Sequence, residues 1–260
     1  MICLMVILFV QDLSAYSYAP LKLAQFTIVV YFIWRWRKLT PELNWKFHWL
    51  AIPSSVFLFV AWIMLHWLSV GVFDLRMDAL SQGQFKSLGA ESDRPVWANT
   101  RLGPMVFWLA SISHLPSMLI AVPMVEEMFN RSLIMRTFHR PRETAIGLLQ
   151  VIVDLPVIGE WLIQTKVGGW ASSYGPIFTP EFERNGLGRL SLFGIAVSTL
   201  VYMSVHHPAD WAGCVVCGIV WCLLLGATRG KGLGPVIWSH AMTNGLLWAY
   251  VMVCGDWMFL

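Results

Sequence analysis

Six polar or charged side chains sit inside or at the edge of apolar runs, where such groups are costly to keep. Val125-Glu126-Glu127-Met128-Phe129-Asn130-Arg131 ends a strongly apolar stretch with two adjacent carboxylates. On a helix, Glu127 and Arg131 are i,i+4 neighbours in the order that favours ion pairing. Glu126 points about 100° away, towards another face. One carboxylate can then be held by Arg131 while the other faces a cavity. That is the division needed for one general base and one anchor. Tyr202-Met203-Ser204-Val205-His206 places a phenol ring and an imidazole on one helix face, followed by His207 and Pro208. His240-Ala241-Met242-Thr243-Asn244 stacks two neutral hydrogen-bonding groups on another helix, a pair able to hold a developing oxyanion.

Each cluster has a plainer role when taken alone. EExxxR can mark a helix that has reached the solvated interface. His206 and His207 can mark a helix end. His240 and Asn244 can be interhelical polar glue. Together they weigh more, because each puts a proton-transfer or hydrogen-bonding group on a separate apolar helix. Depth gives a rough check. From Arg136, Glu126 lies ~15 Å into the membrane, and from Lys231, His240 lies ~13 Å deep. His206 enters from the opposite side, ~6 Å in from Asp210. In a core of ~30 Å, His206 falls short by ~10 Å, to be closed by tilt, a short or broken helix, or local thinning.

The elements that must position these groups follow from composition. Of 260 residues, 57% are hydrophobic and only 13% charged. A soluble domain carries roughly 25% charged residues, so the chain lacks the polar surface of a soluble globule. The same numbers exclude a disordered chain. Fifteen Trp against six Tyr suit long lipid–water boundaries. The fold class is all-α, a polytopic transmembrane bundle of about six to eight membrane helices. Spans are expected near 18–34, 48–70, 105–125, 190–206, 210–228 and 235–255, with 2–10 a possible seventh. A removable signal peptide is not expected at 2–10, which has no basic leader and no small-residue cleavage site. Residues 143–163 are apolar but carry Asp154, Pro156, Gly159 and Glu160, and read as an interfacial or re-entrant segment. The bundle is treated as one domain over 1–260, with no internal repeat.

If 143–163 does not cross, the basic residues sort to one side. Arg35, Arg37, Lys38 and Lys46 then share it with Arg136, Arg140, Arg142, Lys166, Arg184, Arg189, Arg229 and Lys231. The mixed-charge loop 71–104 and the turn at 207–210 fall on the other. The basic side is expected to be cytoplasmic. A net charge of +3 is too weak to suggest nucleic acid as a partner. The five Cys all lie in apolar segments, and Cys214 and Cys217 read as small packing residues rather than a redox or metal pair.

EExxxR at Glu126, Glu127 and Arg131, aromatic-xxx-His at Tyr202 and His206, and HxxxN at His240 and Asn244 occur in that order on successive helices. The set resembles the CPBP family, the CAAX-protease and bacteriocin-processing intramembrane proteases typified by type II CAAX prenyl endopeptidases. The likeness covers roughly residues 105–250. This chain has Tyr202 where the family usually has Phe, and Ser132 where it usually has Gly. It also carries a long insertion at 140–189. Its layout and its Cys254–Phe259 tail resemble the bacterial branch associated with exosortase systems.

The resemblance implies a glutamate-dependent endopeptidase acting on a membrane-associated protein or peptide, whether prenylated, lipid-anchored or transmembrane, at a bacterial inner membrane. It implies that Glu126 activates water with help from His206, that Glu127 and Arg131 orient the site, and that His240 and Asn244 form an oxyanion hole. No cofactor is expected. Zinc is the lesser alternative, since two Glu and two His are present without HExxH. The competing function is a non-catalytic membrane protein that uses the same cluster for peptide binding, immunity or transport.

Overall fold

The computed structural model describes residues 15–72 and 103–259, and every regular element among them is helical. The stretch 2–10 and nearly all of the 71–104 loop lie outside the described residues. The long helices are α1 (Ala15–Trp36), α2 (Ala51–Val72), α3 (Pro104–Thr137), α9 (Trp211–Ala227) and α10 (Gly234–Cys254). Shorter pieces lie between α3 and α9: α4 (Pro141–Val153), α5 (Ile158–Leu162), α6 (Lys166–Ser172), α7 (Phe178–Arg184) and α8 (Leu192–Ser204).

Among the described residues, three stretches are long and apolar enough to cross a membrane: Ala51–Ser69, Pro104–Thr137 and Pro208–Ala227. Half of the last is buried against 22% of the first. The difference puts α9 at the centre and α2 at the rim, where Phe57, Met64 and Trp67 are left exposed for lipid. α2 packs on both α9 and α10, α1 packs on the first half of α3, and α8 packs on α9. Small residues make the last contact close. A Cβ at Gly218 would overlap the Thr199 side chain across the α8–α9 seam. Cys214, Cys217 and Cys222 are free and buried on α9.

Two elements depart from the expected spans. The span expected to end at 125 continues through EExxxR to Thr137, for 34 residues in all. The helix can continue because its charges find partners inside the bundle rather than in water. Its path is widened by two π-type turns, Ser117–Ala121 and Met128–Ile134, which flank Pro123. The segment 190–206 holds a helix of only 13 residues, or ~20 Å, well short of a full crossing. Ser191 caps it by accepting the Gly194 N–H, and it ends at Ser204 before the turn that carries His206.

Residues 143–163 do not form a continuous helix. α4 is 13 residues and stops at Val153, Val157 takes a left-handed φ of 68°, and α5 restarts for five residues. The ~20 Å of α4 is less than the ~30 Å of a hydrocarbon core.

Several of the basic stretches meet at one end of the bundle. The 37–50 connection docks at the Arg136 end of α3. Ser132 donates to the Glu42 carboxylate at 2.6 Å, and Arg136 pairs with it at 3.6 Å. The Leu233 N–H donates to the Glu42 carbonyl. Gly234 opens α10 against the backbone of Lys46, where no Cβ would fit. At the same end, Arg229 donates to the Gly188 carbonyl.

Candidate active site

Glu127 and Arg131 are fully buried on α3, and their charges meet at 3.4 Å between Glu127 Oε2 and Arg131 Nε. The guanidinium has no hydrogen bond from its three nitrogens among the described residues. It lies instead against two aromatic rings, 5.6 Å from the centre of Tyr202 and 5.6 Å from that of Trp221. Such cation–π contacts are stronger when desolvated.

The second Glu127 oxygen faces α10. His240 donates its Nδ1–H to Glu127 Oε1 at 2.9 Å. The other ring nitrogen, Nε2, stands 3.9 Å from Glu126 Oε2. His240 therefore bridges the adjacent carboxylates, hydrogen-bonded to one and facing the other. Its ring is stacked on the Trp221 indole at 4.2 Å, with 22° between planes.

His206 follows the short α8. Its Nδ1 lies 2.8 Å from the Tyr202 carbonyl, which can only accept, so Nδ1 carries a proton and the neutral ring has its lone pair on Nε2. The ring packs on Tyr202 at 4.4 Å and on Trp62 of α2 at 5.9 Å. The Trp211 indole N–H holds the His206 carbonyl at 3.2 Å. The expected shortfall in depth is met by the short α8 and by the turn at Pro208–Asp210, since His206 and Glu126 line one cavity.

Asn244 sits one turn beyond His240. Its Nδ2 donates to the Met118 carbonyl at 3.0 Å. The backbone explains the bond. The Val122 N–H goes to the Ser117 carbonyl, and Pro123 has no N–H to offer. The amide of Asn244 takes up the Met118 oxygen and keeps one further N–H.

A cavity of about 570 Å³ brings these elements together. Glu126, His206, His240 and Asn244 all line it, joined by Tyr202 and Trp221. Glu127 and Arg131 are not on its wall and lie behind it. The six residues singled out from the sequence thus form one connected cluster, four at the surface of the cavity and two supporting them. Sequence reasoning missed Trp221 and Trp62. α9 carries none of the three catalytic motifs, and its Trp221 is one of fifteen Trp in the chain. The available signal was position, because a Trp in mid-span lies away from the interfaces where Trp collects. His66 also went unnoticed. It is buried on α2 and paired at 2.7 Å with Asp210, at the His207 end of the cavity.

A family model described as type II CAAX prenyl endopeptidase, Rce1-like, matches residues 107–246, a stretch that contains all six residues. No curated protein and no solved structure matches the chain.

Proposed function

Because the chain belongs to the Rce1-like type II CAAX prenyl endopeptidase family, we propose that it is an intramembrane endopeptidase in which Glu126 activates the attacking water. One observation carries this reading. Glu126 from α3 and His206 from the turn after α8 reach the same cavity, while Glu127 beside it is locked by Arg131 and His240.

Water in this cavity meets the Glu126 carboxylate and the Nε2 lone pair of His206. Glu126 takes a proton as the water oxygen adds to the scissile carbonyl, and returns it to the leaving amine as the C–N bond breaks. The tetrahedral oxygen is met by the free N–H of Asn244 and by Nε2–H of His240. The second donor requires His240 to carry both ring protons, Nδ1–H towards Glu127 and Nε2–H towards the developing oxygen. The chemistry uses no Ser or Cys nucleophile.

The substrate is a membrane-associated protein or peptide, prenylated or otherwise lipid-anchored, presented within or beside the bilayer. The setting is a bacterial inner membrane, with the end that carries Arg136, Arg229 and the 37–50 connection in the cytoplasm.

The test is cleavage of a lipid-anchored reporter peptide by the full chain in proteoliposomes. Glu126→Gln keeps the shape and removes the base, and is expected to lower kcat by about 10³-fold or more. Full activity in that variant overturns the mechanism. A binding or immunity role would survive the same change. Treatment with a strong zinc chelator is expected to leave the rate within about twofold, and loss restored by added zinc would favour a Lewis-acid role instead.

A further inference from the structure

Trp221 meets His240, Tyr202 and Arg131, yet it belongs to a helix that carries none of the three motifs. Its indole is 1% exposed. One face stacks on His240 at 4.2 Å. The Arg131 guanidinium lies 5.6 Å from its centre. Tyr202 meets it edge-on at 5.8 Å. Its N–H donates to Ser239 Oγ at 3.2 Å, and Ser239 is in turn 2.8 Å from Ser54 Oγ on α2. These contacts close a ring. Arg131 pairs with Glu127, Glu127 accepts from His240, His240 stacks on Trp221, and Trp221 returns to Arg131.

The ring matters because each member is otherwise under-held. Arg131 has no hydrogen-bond partner for its three nitrogens among the described residues. The covalent link at Cγ and the Nδ1 bond to Glu127 set the torsion of the His240 ring, with only the strength of that bond to hold it there. A flat indole 4.2 Å away narrows the swing about that setting and so the direction in which Nε2 points. The serine pair fixes the indole in its own plane. His240 faces Glu127 and Glu126 from α3, and the cavity wall that it shares also carries Tyr202, His206, Cys217 and His114. Trp221 is the neutral surface that keeps the imidazole aimed among them.

We propose that Trp221 is a positioning residue that orients His240 and gives Arg131 an aromatic face to rest on, so that α9 supplies an aromatic support for the reaction without taking part in it. This rests on the peptidase reading above. Because Trp221 also lines the cavity, the rival role is a wall for substrate, and the two differ in kinetics.

The experiment compares Trp221→Phe and Trp221→Leu in the full chain, with melting temperature and reporter cleavage measured together. Trp221→Leu is expected to lower kcat by about 10- to 100-fold with KM within about twofold, the scale of a misaimed group. Trp221→Phe keeps a flat face and is expected to lose about threefold. A loss carried wholly by KM, or equal kcat in the leucine variant and the unaltered chain, overturns the proposal. Should the leucine variant fail to fold, Trp221→Phe decides alone, and a loss as deep as that of His240→Ala counts against it.

A second readout does not depend on cleavage. In histidine-labelled protein, the His240 ring signal is identified as the one lost in His240→Gln. The stacked indole should shift its ring protons by ring current and hold one set of signals. Trp221→Leu should remove that shift and broaden the signal, while Trp221→Phe keeps part of the shift. An unchanged His240 signal in Trp221→Leu contradicts the proposal even if the protein cleaves nothing.

Discussion

Two adjacent glutamates on α3 live in opposite surroundings. Glu127 is fully buried, paired with Arg131 on one oxygen and with His240 on the other. Glu126 is 5% exposed, lines the cavity, and stands 3.9 Å from the imidazole nitrogen Nε2 of His240. The same side chain, moved by one residue and about 100° of helix, passes from anchor to candidate reagent. A carboxylate becomes available for chemistry by being left under-paired, and its neighbour makes that tolerable by holding the structure around it.

The comparison can be broken at its buried side first. Arg131→Met leaves Glu127 buried without its counter-charge, and is expected to cost about 3–5 kcal/mol of stability, read as a large drop in melting temperature. An unmoved melting temperature would deny Arg131 its anchoring role. Adding Glu127→Gln to Arg131→Met should recover part of that stability, because the two residues act as one pair.

The cavity side answers in rate rather than in stability. His206→Ala is expected to lower kcat by about 10²- to 10⁴-fold with little change in melting temperature. Asn244→Ala should lower kcat by about 10²-fold and also loosen the Met118 turn that its amide satisfies. The smallest effect is expected far from both carboxylates. Ser132→Gly removes the bond to Glu42 and should cost about 1 kcal/mol, since Arg136 keeps its own contact with that carboxylate. Cleavage should stay within about twofold. A large loss of rate there would mean that the 37–50 connection communicates with the cavity.

The motif residues were legible because charge is scarce in this chain. A Glu or Arg inside an apolar run stands out, and the i,i+4 spacing of Glu127 and Arg131 announces their pairing. The separation of Glu126 from Glu127 also follows from helix geometry alone. What could not be read depends on three dimensions. Apolar content alone set 190–206 as a full span, whereas the Ser191 cap and the turn before His207 shorten α8. Pro123 gave no hint that Asn244 would satisfy the carbonyl at Met118, because that bond joins positions 126 apart in the chain. Trp221 carries no charge and belongs to no motif, so its contacts with His240 and Arg131 appear only once α3, α9 and α10 are packed. Residues 143–163 showed their Asp, Pro and Gly plainly enough to argue against one crossing, but not where the break would fall.

The most direct measurement sets Glu126→Gln beside Glu127→Gln in proteoliposomes, with reporter cleavage and melting temperature taken on the same preparations. The account predicts that Glu126→Gln loses cleavage and keeps its melting temperature, while Glu127→Gln lowers the melting temperature as well as the rate. Cleavage by Glu126→Gln at the rate of the unaltered chain would contradict it.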